Sequence, residues 1–322
     1  MQIAIIGAGA LGSYLGYKLD AGGHQVELID SSARADQIRK NGVSLKDEIT
    51  GQYVRVDLSV QPEPQGEYDV VIVAVRTQQM QRALELAGSA AESGAGDSAE
   101  ILLIGSYVSG MSDWAEELGV EGVLFAFPGM SAVLERDSKG TVVKFCERGE
   151  GDAEAWGITL GTLRRPGTEQ LSRVDRVMSE AGIPVHHAES MEAVFLSQAL
   201  VRLPLLGALQ YAGGTLKRLS ARGDLLKLML KASREGLAAV KRSGLKPVPG
   251  SLEMYRWVPI FISANMIKHR LDTLPSRIGI EAYSKRSGDE LRLLAGQFLE
   301  FAVASGAEFE HLEYVLSGFE EE

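Results

Sequence analysis

An α/β fold, a doubly wound parallel sheet followed by an all-helical domain, is predicted by three features of this sequence. The chain opens with a β-branched run, a glycine turn and a helix-forming stretch. Strand-like and helix-like segments then alternate to about residue 187. Beyond that point the periodicity is helical throughout. A chain of 322 residues is long for one core, and the change in character divides it into 1–187 and 188–322.

Ile3, Ile5 and Ile6 predict a buried first strand, and residues 10–19 a helix ended by Gly22 and Gly23. Residues 24–29 form the second strand and deliver Asp30 at its end. Residues 32–40 read as a short helix, and 43–45 with 53–58 as a hairpin around 47–51. The run 70–75 is apolar on both faces, as a central parallel strand covered by helices should be. A helix at 78–91 and a strand at 101–104 follow. A helix at 112–118, N-capped by Ser112, and a strand at 123–127 come next. Residues 141–146, 157–160 and 183–186 read as further strands, with a helix at 168–181. The second domain has helical spacing at 190–209, 224–243, 252–270 and 289–304. Pro204 should kink the first of these, because it cannot donate to the carbonyl of Leu200. Trp257, Phe261 and Met266 read as core, and the acidic ending 320–322 as a solvated terminus.

Hydrophobic content of 45% and charged content of 24% describe an ordinary globular protein. A net charge of −10 argues against a nucleic-acid groove or an anionic membrane as main partner, but leaves room for a local basic pocket. The one cysteine, Cys146, forms no intrachain disulfide and reads as a small core residue. With no leader before the first strand and no run of 18 apolar residues, the expected location is the cytoplasm. The histidines show no metal-ligand spacing, so no metal is expected.

The opening turn reads Gly7-Ala8-Gly9-Ala10-Leu11-Gly12, a GxGxxG between a strand and a helix. That is the context the Rossmann dinucleotide fingerprint requires. Gly7 permits the turn, Gly9 lets a pyrophosphate approach, and Gly12 lets the helix pack on the sheet. Ala10 and Leu11 open the helix whose N–H groups would face the phosphates. Asp30 lies 18 positions past Gly12, at the strand end where an acid accepts the ribose hydroxyls of NAD and repels a 2′-phosphate. NAD(H) is therefore the expected cofactor, with Ser32 and Arg34 leaving room for NADP(H).

The opening, the 23–26 and 69–75 segments and the helical second half resemble the ketopantoate reductase family, which reduces 2-dehydropantoate with NADPH. The resemblance implies that Arg76, just past the 70–75 strand, is the family's basic residue there. It implies an Asn-Gly pair after the next strand, where this chain has Ser106 and Tyr107. It implies a catalytic lysine on the first long helix of the second domain, where this chain has Ser197. Of the family's segment leading into the last long helix, Glu290 survives. No lysine occurs between Lys144 and Lys217, so no register restores the ammonium. A poor ketopantoate reductase is expected, and a gain of activity in Ser197→Lys would support the correspondence of Ser197 with the family lysine.

Arg202 sits among apolar neighbours, with Gln198 on the same helical face. Such a guanidinium needs a partner. It is read either as a clamp on a substrate carboxylate or as an internal ion pair, with Glu290 the named candidate. His186 and His187 offer a general acid at neutral pH, or simply a polar strand end. Arg202, Ser197 and Glu290 are thus the catalytic candidates. Gly7, Gly9, Ala10, Leu11, Gly12, Asp30, Arg76 and Ser106 are the cofactor candidates. The function expected is hydride transfer between NAD(P) and a small anionic 2-oxo or 2-hydroxy acid, or an imine. The competing reading is a dinucleotide-binding sensor without turnover. Leu291, Leu294, Phe298, Leu299 and Phe301 give the last long helix a broad apolar surface, from which a homodimer is expected.

Overall fold

In a computed structural model, which describes residues 1–92, 99–119, 123–137, 140–147, 156–163, 169–268, 271 and 273–320, the chain folds as two units. Met1–Ser106 with Gly110–Met191 form the first, and Tyr107–Ser109 with Glu192–Glu322 the second.

The first unit is built outward from β1 (Gln2–Ile6), whose Ile3, Ala4, Ile5 and Ile6 are all buried. It pairs in parallel with β2 (Gln25–Ile29) on one side and β6 (Val70–Val73) on the other. In β6 every residue is buried, as the all-apolar run requires of a strand covered on both faces. β3 (Val43–Asp47) and β4 (Tyr53–Val56) form the expected antiparallel hairpin. The main sheet also takes in β5 (Ser59–Gln61), β7 (Glu100–Ile104), β8 (Leu124–Pro128), β11 (Ile158–Gly161) and β12 (Val185–His187). Its order is β12-β11-β8-β7-β6-β1-β2-β5. Its helices are α1 (Ala10–Ala21), α2 (Ser32–Asn41), α3 (Met80–Glu92), α4 (Met111–Glu117) and α5 (Glu169–Glu180).

Three features depart from the sequence reading. β11 runs antiparallel to β8, so the sheet is predominantly rather than wholly parallel. The chain leaves β8 through a hairpin and re-enters the sheet reversed. That hairpin is β9 (Ser131–Asp137) with β10 (Gly140–Cys146), and β9 escaped the sequence reading. β10 pairs in parallel with β3, which joins the two hairpins into a second sheet, β4-β3-β10-β9. Helix α1 therefore has two faces to bury. Gly16 lies against Leu28 and Ile5 of the main sheet, while Tyr14 meets Phe145 of the second at 5.2 Å between ring centres. Finally, Ser112 is not an N-cap. Gly110, at φ +84°, starts α4 one residue earlier and without a side-chain cap.

The second unit is helical. α6 (Met191–Tyr211) runs unbroken through Pro204, followed by α7 (Leu216–Ala221) and α8 (Gly223–Arg242). α9 (Ile260–Lys268) and α10 (Leu274–Ser276) come next. A π-helical turn, Arg277–Glu281, leads into α11 (Ala282–Arg286). The last helices are α12 (Gly288–Ala304) and α13 (Glu310–Leu316). By length and composition α6 is apolar enough to cross a membrane, but 72% of its apolar window is buried inside the protein. A side chain at Gly236 of α8 would meet Leu200 and Phe298, and one at Gly207 of α6 would strike Val315 O at 2.2 Å. These close approaches put α6, α8, α12 and α13 around one core.

Two expectations fail here. Residues 252–270 are not one helix. A 3-10 segment, Gly250–Arg256, and α9 are separated at Pro259, which has no N–H to give a continuing helix. Arg234 satisfies the carbonyls freed by the break, donating from Nε to Tyr255 O at 2.6 Å and from Nη2 to Val258 O. Trp257, Phe261 and Met266 are not core either, being 75%, 67% and 56% exposed. In α12, by contrast, Leu291, Leu294 and Phe298 are buried in the unit's own core, with Leu299 and Phe301 packed against it. The apolar stripe of α12 therefore needs no second subunit.

Candidate functional site

Gly7 follows β1 at φ +102°, and a Cβ there would lie 2.7 Å from Ala74 O. A Cβ on Gly12 would lie 1.8 Å from Gly7 O. Both glycines are thus demanded by the fold. Gly9 is different. Its φ of −73° suits any residue, and a Cβ there would meet nothing within 4 Å. Folding gives no reason for glycine at position 9. What its missing side chain does is leave the N-terminus of α1 bare, with no side-chain cap over the amides of Ala10 and Leu11. A bare helix start with the positive end of its dipole exposed is suited to a phosphate.

Asp30 reaches across from the end of β2. Its Oδ2 accepts from Ala8 N at 2.7 Å, and its Oδ1 accepts from Ser31 N at 2.7 Å and Ser31 Oγ at 3.2 Å. Arg34, on the first turn of α2, donates from Nε to Ala8 O at 3.1 Å and from Nη1 to Gln37 Oε1 at 2.9 Å. Burial lowers the Arg34 pKa, and the charge of Asp30 opposes that shift. The backbone of Ala8 is therefore held at both its N–H and its C=O, a clamp that sequence reasoning missed. Asp30 and Arg34 were visible, but that they grip one residue was not.

Arg76 lies exposed past β6, with its backbone N–H 3.4 Å from Gln79 Oε1. Ser106, at the end of β7, is tied to the same region because Thr77 donates to its carbonyl at 3.3 Å. Gly7 meets Ala74 where the chain turns one way to β2 and the other way to β6. That is the switch point at which open α/β sheets hold ligands. The structure thus gathers Gly7, Gly9, Gly12 and Asp30 at the glycine turn and ties Thr77, the residue after Arg76, to Ser106.

In the helical unit Arg202 lies over the Tyr283 ring, 5.6 Å from its centre. Tyr283 Oη donates to Glu290 Oε2 at 3.0 Å. Arg202 of α6 and Glu290 of α12 are thus linked through a tyrosine on α11 that no sequence pattern singled out. Glu290 is only 6% exposed. Tyr107 belongs to this unit, with its ring edge-on to Phe195 at 5.1 Å. Burial, then the charge of Glu290, raises the Tyr107 pKa.

Ser197 stands apart. It is fully buried, and its Oγ accepts from Val248 N at 2.9 Å. Its visible partner is structural, and a lysine in its place would bring an ammonium into an enclosed site. His186 and His187 are exposed on β12, facing Trp156 O at 3.4 Å and Asp175 at 3.3 Å.

Against this geometry, residues 3–104 match the family model described as ketopantoate reductase PanE/ApbA. The matched segment is about a third of the chain, and over it the chain is similar to that family. Over 90 residues it is 30% identical to the uncharacterized oxidoreductase YkpB of Bacillus subtilis (strain 168), a match spanning 26% of this chain and 28% of that protein. Solved structures extend the likeness to the whole length. The 2-dehydropantoate 2-reductase of Geobacter metallireducens GS-15 superposes with a TM-score of 0.77 at 17% identity, covering 100% of this chain and 99% of the other. D-mandelate dehydrogenase with NADH and anilino(oxo)acetate gives 0.76 at 16% identity, with 99% and 97% covered. The matched segment includes the glycine turn, Asp30, Arg76 and β7. The helical unit shares the fold of these enzymes.

Proposed function

We propose that this protein is an NAD(P)-dependent oxidoreductase acting on a small 2-oxo or 2-hydroxy acid, or an imine. The observation that carries the reading is Gly9, a glycine without a folding reason at the bare N-terminus of α1. The residues present fit a dinucleotide. The amides of Ala10 and Leu11 would hold the pyrophosphate, and Asp30 would accept a ribose hydroxyl. Arg76 and Ser106 would flank the cofactor. When bound, the dinucleotide supplies or accepts the hydride. Arg202 would recognise the substrate carboxylate through its planar guanidinium fork. Glu290 holds Tyr283 beneath Arg202 and offsets its charge. NAD(H) should bind more tightly than NADP(H), because Asp30 is a carboxylate where a 2′-phosphate would sit. Fluorescence titration with both dinucleotides tests this, and a tenfold preference for NADPH would overturn it. A screen of 2-oxo acids with each cofactor follows, in which Arg202→Lys should raise KM at least tenfold while NADH affinity holds.

One observation favours a second reading, a dinucleotide sensor without turnover. The position of the family lysine is a serine whose hydroxyl is engaged by Val248 N. General acid catalysis is typically worth about 10²–10⁴-fold. Absence of NADH consumption with any oxo acid or imine, despite tight NADH binding, would select the sensor.

The proposal includes a homodimer, on a surface other than α12. Met254, Trp257, Phe261, Ile262, Met266 and Leu274 are all exposed. Large side chains of this kind bring several hundred Å², with roughly 150–250 Å² for each aromatic. That approaches the ~800 Å² per partner of a standard interface. Arg256 over the Trp257 ring at 5.2 Å adds the Arg and Trp pairing enriched in such surfaces. A second copy, meeting the patch through a two-fold axis, is the proposed occupant.

A further inference from the structure

The first unit holds a polar cavity of about 360 Å³ between α2 and the second sheet. That volume lies in the range of small-ligand sites. Arg34, Gln37 and Asn41 line it from one face of α2, with Ser44 of β3, Arg55 of β4 and Thr141 of β10 opposite. No carboxylate lines it, although the chain carries a net charge of −10.

Neither arginine forms a short ion pair among the described residues, although the charge of Asp30 acts on Arg34. Arg34 bonds to two neutral acceptors, Ala8 O and Gln37 Oε1, and forms no ion pair among the described residues. The nearest partner of Arg55 is Asp57 at 3.8 Å, a long pair whose acid is 85% exposed and screened by water. Gln37 is oriented across the cavity, donating to Thr141 Oγ1 at 2.8 Å. Asn41 and Ser44 have side-chain donors with no hydrogen bond to the described residues. Two guanidinium groups and several neutral donors, with Val43, Leu134 and Val143, line the cavity, a donor set suited to an anion.

The site is not the glycine turn. Helix α2 is 10 residues long, so Asn41 lies roughly 15 Å along it from Asp30. Arg34 alone belongs to both regions, since its Nε grips Ala8 O.

We propose that this cavity binds a small molecule bearing a phosphate or carboxylate group, and that Arg34 couples its occupancy to the glycine turn. An anion drawing on Arg34 weakens or strengthens the hold on Ala8, and with it the shape of the turn. The coupling rests on the proposed dinucleotide site, whereas the anion site stands without it.

The test is calorimetric titration of the dinucleotide-free protein, at low ionic strength, with inorganic phosphate and separately with succinate. One-to-one binding of at least one is expected, and which of the two binds identifies the group. Arg55→Ala, an exposed position whose loss should leave the melting temperature alone, should weaken that binding by about tenfold. Saturating anion should shift NADH affinity by about threefold or more in wild type but not in Arg55→Ala. No binding of either anion below about 10 mM, or equal binding by Arg55→Ala, would overturn the site. Competitive displacement by NADP⁺ but not NAD⁺ would also overturn it, by making the cavity an extension of the cofactor's ribose site. A normal anion isotherm without any response of NADH would remove only the coupling.

Discussion

The glycine turn of the first unit and the arginine cluster of the second place polar groups by different means. At the turn the functional groups are main-chain amides, and their placement is set by which residues lack a side chain. In the helical unit they are side chains from α6, α11 and α12, brought together by the core beneath them. A site made of backbone is robust to neighbours but intolerant of any added Cβ. A site made of side chains tolerates its backbone but depends on every partner. Changing Gly12 and Gly9 separately breaks that comparison most sharply. Gly12→Ala puts a methyl 1.8 Å from Gly7 O, so backbone must move. The expected outcome is loss of about 4 kcal/mol or more, or of soluble protein, read by denaturant unfolding. Gly9→Ala has room and an ordinary φ. Its stability should change by no more than about 0.5 kcal/mol. NADH affinity should nevertheless fall by roughly a hundredfold, about 2.7 kcal/mol. Undiminished binding by Gly9→Ala would remove the main support for the proposed function.

The side-chain cluster should respond in the opposite manner, through stability first. Glu290→Leu leaves the Tyr283 hydroxyl without the carboxylate it donates to and removes the negative charge beside Arg202. Breaking one partner of a buried charged set costs about 3–5 kcal/mol. Tyr283→Phe keeps the ring under Arg202 and loses only the hydroxyl, so about 1–2 kcal/mol is expected. If Tyr283→Phe unfolds the protein as readily as Glu290→Leu, the chain of contacts from Arg202 to Glu290 is not the organising one.

How much of this was legible follows the same division. The turn was readable because its requirements are local: Gly7, Gly9 and Gly12 lie within six residues, and Asp30 sits at the next strand end. β6 was readable because the apolar run 70–75 is short and β-branched, as a strand covered on both faces should be. β9 was not, since Ser131–Asp137 mixes charged and apolar residues and gains its partners only from β10. The parallel pairing of β10 with β3 joins segments about a hundred residues apart, which no local pattern records. Tyr283 was missed for the same reason, because its importance lies in Arg202 and Glu290 on other helices. Trp257 and Phe261 were misread because helical spacing shows which residues share a face but not whether anything covers it.

That exposed face gives the next prediction. Replacing Trp257 and Phe261 together with serine should convert the proposed dimer to a monomer by light scattering at micromolar concentration. The monomer's unfolding free energy should stay within about 0.5 kcal/mol of its original value, as both side chains project from the folded unit. A wild-type monomer at that concentration would remove the proposal outright.

Ser197 gives the smallest expected effect on activity and the cleanest separation of folding from chemistry. Its hydroxyl accepts one amide hydrogen, from Val248, inside a fully enclosed site. Ser197→Ala would leave that N–H without its acceptor, costing about 1–3 kcal/mol. Because the side chain is buried and engaged, removing it should leave kcat and NADH affinity within about twofold. The measurement pairs denaturant unfolding with steady-state rates on whichever oxo acid is turned over. A variant with unchanged stability but a tenfold lower kcat would return Ser197 to the reacting atoms. Such a result would require the Val248 loop to open during turnover, because only then could a group at 197 reach a substrate.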